Sequence, residues 1–256
     1  MDNNTLFYEE RQNEILKLLK VQKKLLVSEL AKRFDVSQAT IRNDLNDLAE
    51  KGLLTRTHGG AIVCSKTGFE QLTNQKLDSN MDIKKKIAVL AAESVNDGDT
   101  IAIDVGSTTY EFANELLGKK DLTVITPDLT IALLLEDSAN VILAGGNIRK
   151  GHHCCVGAFA SDMLDKLAVD KSYLATNGAS AAHGFSTPDV SQAEIKRKLI
   201  KAGTQVYMLA DGSKFEKDCC VSFADYKDID IVVTDEGLPQ TARLELEKSE
   251  TEILFV

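Results

Sequence analysis

From Lys84 to the end of the chain, short apolar segments alternate with segments whose apolar residues have helical spacing. Helices are predicted from Ser107, near Leu129 and from Val190. Strands that alternate with helices favour a mostly parallel sheet covered on both faces, because each parallel connection needs a crossover. We therefore predict an α/β fold for this part, with ligands at the carboxyl ends of the strands. The apolar segments are TIAID, LTVIT, VILAGG, KSYLAT, QVYMLAD and IDIVVTD.

The first 60 residues have a helical pattern that is interrupted by short polar turns. Amphipathic helices are predicted over residues 9–20, 28–34 and 37–50. The pattern weakens between residues 61 and 82, where QLTNQKLDSN offers no apolar face. We therefore predict a small helical domain over residues 1–62, a linker over residues 63–80 and the α/β domain over residues 81–256.

The composition is that of an ordinary globular protein. Of the 256 residues, 43% are hydrophobic and 27% are charged, which excludes a wholly disordered chain. No apolar run approaches the roughly 20 residues that cross a bilayer, and the opening segment lacks a basic region followed by an apolar stretch. A cytoplasmic protein without a membrane partner is expected. The five cysteines include two adjacent pairs, a poor pattern for disulfides, so reduced thiols are expected.

Negative charge is concentrated in the larger part of the chain. The net charge is -9, and residues 1–60 contain 10 Lys and Arg against 9 Asp and Glu, which leaves -10 for residues 61–256. An acidic body is unsuited to coating nucleic acid. A small, nearly neutral domain can still contact phosphates with one face.

Residues 28–50 have the pattern of two short helices joined by a tight turn. Ser37 is a suitable N-cap for the second helix, and Val36 and Ile41 can form a hydrophobic staple across it. Ile41, Leu45 and Leu48 continue an apolar stripe at helical spacing. The opposite face suits reading of the major groove, since Arg pairs with guanine and Asn or Gln with adenine. Its polar residues are Gln38, Arg42, Asn43 and Asn46.

The segment LLTRTHGGAIV follows, with two short apolar pieces around Arg56, His58 and Gly59-Gly60. This pattern is typical of a β-hairpin wing whose cations contact backbone phosphates. An ordinary helical hairpin with solvated polar residues would explain the two helices alone, and an incidental loop histidine would explain His58 alone. Together the segments favour DNA binding. The predicted DNA-binding residues are Ser37, Gln38, Thr40, Arg42, Asn43, Arg56 and His58.

The segments ERQNEILKLLK and VSELAKRFDVSQATIRNDLNDLAEKGLLTRTHGGA resemble the winged helix-turn-helix domain of the DeoR family of bacterial transcriptional regulators. The resemblance covers nearly all of residues 5–61 and implies binding to operator DNA. That family usually has two arginines before the aspartate of its recognition helix, whereas Asn43 follows Arg42 here. A different operator preference is therefore expected.

Residues 99–109, DTIAIDVGSTT, have the pattern of a strand, a glycine turn and a helix that begins with three hydroxyl residues. The N–H groups and dipole of a helix amino terminus favour an anion, and Gly106 allows close approach of the backbone. Ser107, Thr108 and Thr109 add donors, so a phosphate site is predicted. The alternative is a hydroxyl cluster that only caps the helix. The segment lacks the Walker spacing and its lysine, so no ATP site is predicted.

Further polar residues follow other predicted strands. Gly145, Gly146 and Arg149 follow VILA, and Asn177 and Gly178 follow SYLAT. Cations at these positions could neutralise a phosphate, and carboxylates or amides could accept hydrogen bonds from sugar hydroxyls. Turn chemistry is the alternative for each Gly, Asp or Ser taken separately. The remaining candidates are Asp104, Asp189, Glu194, Asp211, Ser213 and Lys214.

The segments KKKIAVLAAESVNDGDTIAIDVGSTT, LAGGNIRK, QAEIKRKLI and DGSKF, with VDK at residues 169–171, resemble the effector domain of the same family over residues 81–256. The resemblance implies a fold related to ribose-5-phosphate isomerase. It also implies that residues 106–109 hold the phosphate of a sugar effector. Thr126-Pro127 stands where Thr-Asn is common, and ATNGAS also departs from the family, so the sugar stays unspecified. The residues implied around the phosphate are Asp104, Arg149, Glu194 and Lys214.

The run His152-His153-Cys154-Cys155 contains side chains that bind zinc. Four consecutive residues cannot easily point at one tetrahedral centre, because alternate side chains of a strand face opposite ways. Packing in a strand or loop is therefore favoured over a metal site.

These features predict a DNA-binding transcriptional regulator, with repression favoured, whose operator affinity is controlled by a phosphorylated sugar. No cofactor or metal is expected, and the usual symmetry of such regulators favours a homodimer or tetramer. The alternative is a sugar-phosphate isomerase-like enzyme with an appended helical domain. Isomerisation needs a carboxylate that moves a proton between adjacent carbons, whereas Asn177 stands where the isomerases have paired acids and leaves Glu194 as a lone candidate. A structural adaptor would explain neither the polar helix face nor the phosphate site, so a regulator without enzymatic activity is preferred.

Overall fold

The computed structural model describes residues 8–22, 24–50, 53–63 and 80–256. The chain divides into two compact units, Met1–Gln71 and Leu72–Val256. Most of the predicted linker, residues 64–79, lies outside the described residues.

The first unit contains three helices and a three-stranded antiparallel sheet. Its elements are α1 (Tyr8–Gln22), β1 (Lys24–Leu26), α2 (Val27–Phe34), α3 (Gln38–Glu50), β2 (Leu54–Thr57) and β3 (Gly60–Val63). Strand β3 pairs with both β1 and β2, so the order is β1-β3-β2. This arrangement confirms the predicted winged helix-turn-helix fold.

Apolar side chains at helical spacing form the core of the first unit. Ile41, Leu45 and Leu48 of α3 are each at most 2% exposed, which confirms the predicted apolar stripe. They pack in one cluster with Ile15 and Leu19 of α1. Burial of one such side chain contributes about 1.5 to 3 kcal/mol, so the stripe fixes the rotation of α3 about its axis.

Local hydrogen bonds fix the turn between α2 and α3. Asp35 ends α2 in the left-handed region with φ of 51°, and the Val36 N–H donates to Ala31 O at 3.1 Å. Ser37 Oγ accepts from the Thr40 N–H at 3.0 Å, which confirms Ser37 as the N-cap. These bonds set where α3 begins and hence which of its residues face away from the core.

The second unit is a three-layer α/β structure. Its helices are α4 (Met81–Ala92), α5 (Ser107–Asn114), α6 (Leu129–Leu135), α7 (Ala158–Leu164), α8 (Val190–Ala202) and α9 (Gln240–Lys248). Its strands are β4 (Thr100–Ile103), β5 (Thr123–Thr126), β6 (Asn140–Leu143), β7 (Asn147–Arg149), β8 (Cys154–Val156), β9 (Val169–Leu174), β10 (Gly178–Ser180), β11 (Gly184–Thr187), β12 (Gly203–Leu209), β13 (Val221–Ala224), β14 (Ile231–Thr234) and β15 (Glu252–Phe255).

Seven of these strands form one parallel sheet in the order β15-β14-β12-β9-β4-β5-β6. Alternate residues of each strand face opposite layers, as in β4, where Ile101 and Ile103 join a core with α4, α5 and α6. Ala102, between them, joins a second core with α7, α8 and α9. The predicted mostly parallel sheet with helices on both faces is therefore confirmed.

Two smaller sheets were not predicted. Strands β7 and β8 form an antiparallel hairpin, and β10, β11 and β13 form a three-stranded antiparallel sheet. Their strands have only three or four residues, which is too short for a clear apolar alternation. Both sheets contribute residues to the carboxyl edge of the large sheet.

Candidate functional site

The exposed face of α3 carries the residues predicted to read bases. Gln38, Arg42 and Asn43 are exposed, while Asp44 and Leu45 beside them are buried. The Arg42 Nη2 donates to Gln38 Oε1 at 3.1 Å along this face. An exposed row of amide and guanidinium groups on one helix is what direct reading of the major groove requires.

A buried ion pair holds α3 against α1. The Arg11 guanidinium donates to both carboxylate oxygens of Asp44, from Nε to Oδ2 at 2.6 Å and from Nη2 to Oδ1 at 3.1 Å. Arg11 is 7% exposed and Asp44 is 1% exposed. Hydrogen bonding to Asp44 raises the pKa of Arg11, outweighing the opposite effect of burial. On the surface, the Tyr8 hydroxyl adds a bond to Asp47 Oδ2 at 2.6 Å.

The wing contains the predicted phosphate-contacting cations. His58 is exposed at the turn between β2 and β3. Arg56 is half-buried, and its guanidinium donates from Nε to Asn46 Oδ1 at 2.9 Å and from Nη1 to Gly60 O. Arg56 therefore ties the wing to α3, a bracing role that the sequence did not indicate. Asn46, predicted on the reading face, is its partner.

In the second unit, the loops after the parallel strands meet at one edge of the sheet. The strand order reverses between β4 and β9, since β5 and β6 lie on one side of β4 and β12 and β14 lie beyond β9. A crevice at such a switch point is the usual ligand site of a doubly wound sheet. We call the loops that follow β4, β5, β9 and β12, with the start of α8, the effector edge, after the ligand that the sequence predicts there. Asp104, Asn177 and Asp211, each predicted as a ligand group, belong to these loops.

Helix α5 begins at the effector edge with the three predicted hydroxyl residues. Ser107 is 8% exposed and Thr108 is 4% exposed, whereas Thr109 is fully buried and donates to Gly106 O at 3.0 Å. The Thr109 proton is therefore used inside the turn. A Cβ on Gly106 would lie 3.0 Å from Ala175 Cβ, so glycine lets this turn pack closely against the loop after β9.

Asp104 forms a buried ion pair with Lys196 of α8. Lys196 Nζ donates to Asp104 Oδ2 and to Ala175 O, the latter at 2.8 Å. The Ala175 N–H donates to the same Asp104 Oδ2 at 3.1 Å. These bonds connect β4, β9 and α8 at the switch point. Sequence reasoning missed Lys196, although its spacing with Ala193 and Leu199 places it on the buried side of α8.

The β7–β8 hairpin lies against the loop after β5 and the start of α8. The Leu129 N–H donates to His153 O at 2.9 Å, and Arg149 Nε lies 3.4 Å from Asp189 Oδ2. Asp189 also caps α8 by accepting from the Gln192 N–H at 2.8 Å. The predicted Arg149 is thereby brought to an ion pair with the predicted Asp189.

Asp128, which was not predicted, is buried in the loop after β5 and caps α6. Its Oδ1 accepts from the Thr130 N–H at 2.8 Å and the Ile131 N–H at 3.3 Å. Burial raises the pKa of Asp128, these bonds lower it, and the Asp104 carboxylate raises it further. The net effect is an elevated pKa. The Asp104 carboxylate therefore acts on Asp128 from the neighbouring loop.

A chain of polar side chains, buried except for the half-buried Asn177, connects the loop after β9 to the hairpin. The Thr187 hydroxyl lies 3.1 Å from Asn177 Oδ1 and 3.3 Å from Gln192 Oε1. Gln192 Nε2 donates in turn to Cys154 Sγ at 3.5 Å. Burial raises the pKa of the Cys154 thiol to about 11, so this thiol is neutral and unreactive near pH 7.

Asp211 and Lys214 follow β12 and form a second charged group. Lys214 Nζ lies 4.0 Å from Asp211 Oδ2, and Asn80 Nδ2 donates to Asp211 Oδ1 at 3.0 Å. Burial raises the pKa of Asp211, but Lys214 and the hydrogen bonds from Ser213 and Asn80 outweigh it, so the pKa is lowered.

The other predicted residues have structural partners at this edge or beside it. Glu194 is exposed on α8 and accepts from Ser161 Oγ at 2.7 Å, so its carboxylate is engaged with α7. Gly145 and Gly146 follow β6, where a Cβ on Gly146 would lie 2.6 Å from Val156 O. Gly178 begins β10, and a Cβ there would lie 2.6 Å from Lys217 O.

The described residues also bear on the predictions about metals, membranes and ligand sites. They contain no group of three or more His, Cys, Asp or Glu arranged to hold a metal ion. None of the described helices is long and apolar enough to cross a membrane. A groove of about 530 Å³ lies in the first unit against Lys17 and Phe34, and one of about 460 Å³ lies at the amino ends of the strands, beside Asp170 and Asp230. Neither groove is lined by the residues of the effector edge.

Comparison with known proteins gives matches for both units. Residues 11–67 match the family described as the DeoR-like helix-turn-helix domain, and residues 79–236 match the DeoR C terminal sensor domain. The HTH-type transcriptional regulator GlpR of Haloferax volcanii is 33% identical over 244 residues, covering 94% of this chain and 94% of that protein. The glycerol-3-phosphate regulon repressor of Escherichia coli is 32% identical over 232 residues, covering 90% of this chain and 92% of that protein.

A solved structure of ribose 5-phosphate isomerase A from Methanocaldococcus jannaschii is 18% identical with a TM-score of 0.39, covering 54% of this chain and 55% of that one. This similarity is too low to support any conclusion about the chain. By contrast, the two family matches together span most of the chain, and the named relatives of similar length are regulators and not enzymes. The chain therefore belongs to the DeoR family of DNA-binding transcriptional regulators.

Proposed function

We propose that this regulator represses genes of sugar metabolism and that a phosphorylated sugar bound at the effector edge controls its affinity for operator DNA. The first unit supplies the DNA contacts and the second unit supplies the effector site. A repressor of this kind needs no cofactor and no catalytic residue.

The DNA-binding half of the proposal assigns base contacts to the exposed face of α3. Arg42 and Asn43 suit guanine and adenine edges, and Gln38 lies one turn earlier on the same face. Ser37 and Thr40 lie at the start of α3, where backbone N–H groups favour a DNA phosphate. His58 at the wing turn and Arg56 beside it are assigned to the DNA backbone.

The effector half rests on one observation above all, the start of α5 at the switch point of the parallel sheet. Helix N–H groups, the Ser107 and Thr108 hydroxyls and the nearby Lys196 make this edge attractive to a phosphate. Asp104 and Asn177 supply acceptors for sugar hydroxyls on either side of it. The repressor of Escherichia coli, whose name refers to a phosphorylated polyol, supports the same class of ligand.

Several further assignments belong to the proposal. Residues 1–62 form the DNA-binding domain, residues 63–80 the linker and residues 81–256 the effector domain. Arg149, Asp211 and Lys214 complete the polar surroundings of the ligand, with Gly145, Gly146 and Gly178 shaping the loops. Because operators with two half-sites are read by symmetric proteins, the active form is a homodimer or a tetramer.

An isomerase with an appended helical domain is not favoured. Aldose-ketose isomerisation requires a carboxylate placed at adjacent carbons of the sugar. Asn177 cannot act as that base, and the Glu194 carboxylate is engaged with Ser161 of α7. The named relatives are transcriptional regulators, which also argues against this alternative.

The proposal is tested by selecting bound sites from a random DNA library with the full chain and then titrating the recovered site. Each titration is repeated with ribose 5-phosphate, fructose 1-phosphate, fructose 6-phosphate and sn-glycerol 3-phosphate, while the same samples are assayed for sugar conversion. We expect one or more phosphates to change DNA affinity without being converted. Catalytic conversion of any of these phosphates would contradict the proposal. So would an unchanged DNA affinity with every phosphate that binds.

A further inference from the structure

The ion pair between Lys196 and Asp104 is nearly inaccessible to solvent. The side chains are 3% and 2% exposed, and Lys196 Nζ also lies 5.2 Å from the centroid of the Phe223 ring. Desolvation of two charges offsets most of the attraction between them, and apolar side chains of similar volume are often as stabilising. Stability alone therefore does not account for a lysine and an aspartate at the switch point.

The Asp104 carboxylate is held by one of its two oxygens. Both of its protein donors, Lys196 Nζ and the Ala175 N–H, reach Oδ2. Among the residues that the structure describes, Oδ1 has no hydrogen-bond donor. A carboxylate whose orientation is fixed by one oxygen is prepared to accept a ligand hydroxyl with the other.

This carboxylate lies close to the start of α5. Asp104 precedes Gly106 by two residues, and two residues of extended chain span at most about 7 Å. A second buried carboxylate, Asp128, lies in the neighbouring loop. Without a compensating cation, these negative charges would repel a phosphate at the start of α5.

We propose that Lys196 is a positioning residue of the effector site, which neutralises Asp104 beside the phosphate and directs its Oδ1 toward a ligand hydroxyl. This inference rests on the proposed function and narrows its ligand class. The site selects phosphate esters that carry a hydroxyl within the first two or three carbons of the phosphorylated end. Phosphate esters of the same length without hydroxyls bind weakly.

The test uses the full chain and three probes: sn-glycerol 3-phosphate, n-propyl phosphate and inorganic phosphate. The key quantity is the ratio of the Kd of propyl phosphate to that of glycerol 3-phosphate, measured by calorimetric titration. One hydrogen bond to a charged acceptor predicts a ratio of roughly tenfold to a hundredfold for the wild type. Circular dichroism and thermal melting establish which variants are folded.

Three variants separate charge from hydroxyl recognition. Lys196→Met leaves the Asp104 charge uncompensated and should weaken the binding of all three probes by roughly tenfold or more. Asp104→Asn keeps the Lys196 cation, so it should strengthen the binding of inorganic phosphate. It should also lower the ratio of the Kd of propyl phosphate to that of glycerol 3-phosphate. The double variant Asp104→Asn/Lys196→Met removes both charges. It should bind inorganic phosphate within about threefold of the wild type, with a ratio close to one.

The double variant keeps the test decisive if Lys196→Met does not fold, because it contains no uncompensated charge. A purely structural pair would lower the melting temperature and leave the ratio of the folded variants as in the wild type, which would overturn the assignment. A wild type that binds phosphates with a ratio of one would overturn this inference alone. A wild type that binds none of the three probes would overturn the phosphate site of the proposed function and the role of Lys196 with it.

Discussion

The substitution Asp44→Ala should unfold the DNA-binding unit while leaving the second unit intact. It removes the carboxylate that faces the buried Arg11 guanidinium, and with it bonds of 2.6 and 3.1 Å between α1 and α3. Loss of one member of a buried ion pair costs about 3 to 5 kcal/mol. At the usual 0.05 to 0.15 kcal/mol per residue, a unit of this size has about 4 to 10 kcal/mol of stability, so most of it can be lost.

The assay is scanning calorimetry of the full chain together with fluorescence anisotropy of labelled operator DNA. Asp44→Ala should lower or abolish the transition of the first unit and weaken DNA binding. Binding of the phosphorylated effector at the second unit should persist.

Two control variants make this prediction specific. Tyr8→Phe removes an exposed hydrogen bond between the same two helices and should destabilise the unit far less than Asp44→Ala, because water replaces the lost bond. Arg11→Met/Asp44→Leu replaces both charges with apolar groups and should restore stability and most DNA affinity. If Asp44→Ala melts and binds DNA like Tyr8→Phe, the ion pair does not hold the recognition helix and the reasoning is refuted.

Four other predictions concern substitutions in the two units. Arg42→Ala and Asn43→Ala should each reduce discrimination between the operator and a scrambled site by about 1 to 3 kcal/mol in anisotropy titrations, and unchanged discrimination in both would move base reading off this face. Arg56→Ala should weaken both DNAs alike and reduce the slope of log affinity against log salt by about 0.9, with a loss of stability from its bonds to Asn46 and Gly60; a sequence-selective loss would contradict the phosphate contact. The pKa of Asp211 is lowered, so its negative charge stabilises the wild type above the ordinary carboxyl pKa of 3.8, and this stabilisation is lost as pH falls. Asp211→Asn should remove this stabilisation. The pKa of Asp128 is raised, so Asp128→Asn should gain stability relative to the wild type as pH rises above 3.8. Both predictions are checked by melting curves of the second unit at several pH values. A stability change of the same sign in both variants would contradict these assignments.

The architecture followed from the sequence because its signals are local. The apolar stripe of Ile41, Leu45 and Leu48 and the cap at Ser37 are properties of neighbouring residues, and each has the predicted role. The same holds for six of the seven parallel strands, whose apolar segments stand out against the helices between them, whereas β15 was not predicted. These signals depend on spacing and not on distant partners.

The side-chain contacts within the effector edge could not be predicted from the sequence. Lys196 and Asp104 are 92 residues apart, and no local pattern indicates that they meet. A lysine on the buried side of α8 could have been noticed from helical spacing, but its partner could not. Likewise Glu194, two residues before Lys196, projects from another side of the helix and meets Ser161, because successive helical residues turn by about 100°.

The most direct test of the account is whether a phosphorylated sugar at the start of α5 changes operator affinity. Operator titrations of the wild type, Thr108→Asp and Thr108→Val are performed with and without the phosphate that binds the wild type most tightly. We expect the wild-type Kd for DNA to change by about fivefold or more, the usual range of coupling between two sites. Thr108→Asp should not respond, because its carboxylate occupies the position of the anion, and Thr108→Val should respond less than the wild type. If both folded variants respond as strongly as the wild type, the effector's phosphate does not bind at Ser107 to Thr109 and the account is wrong.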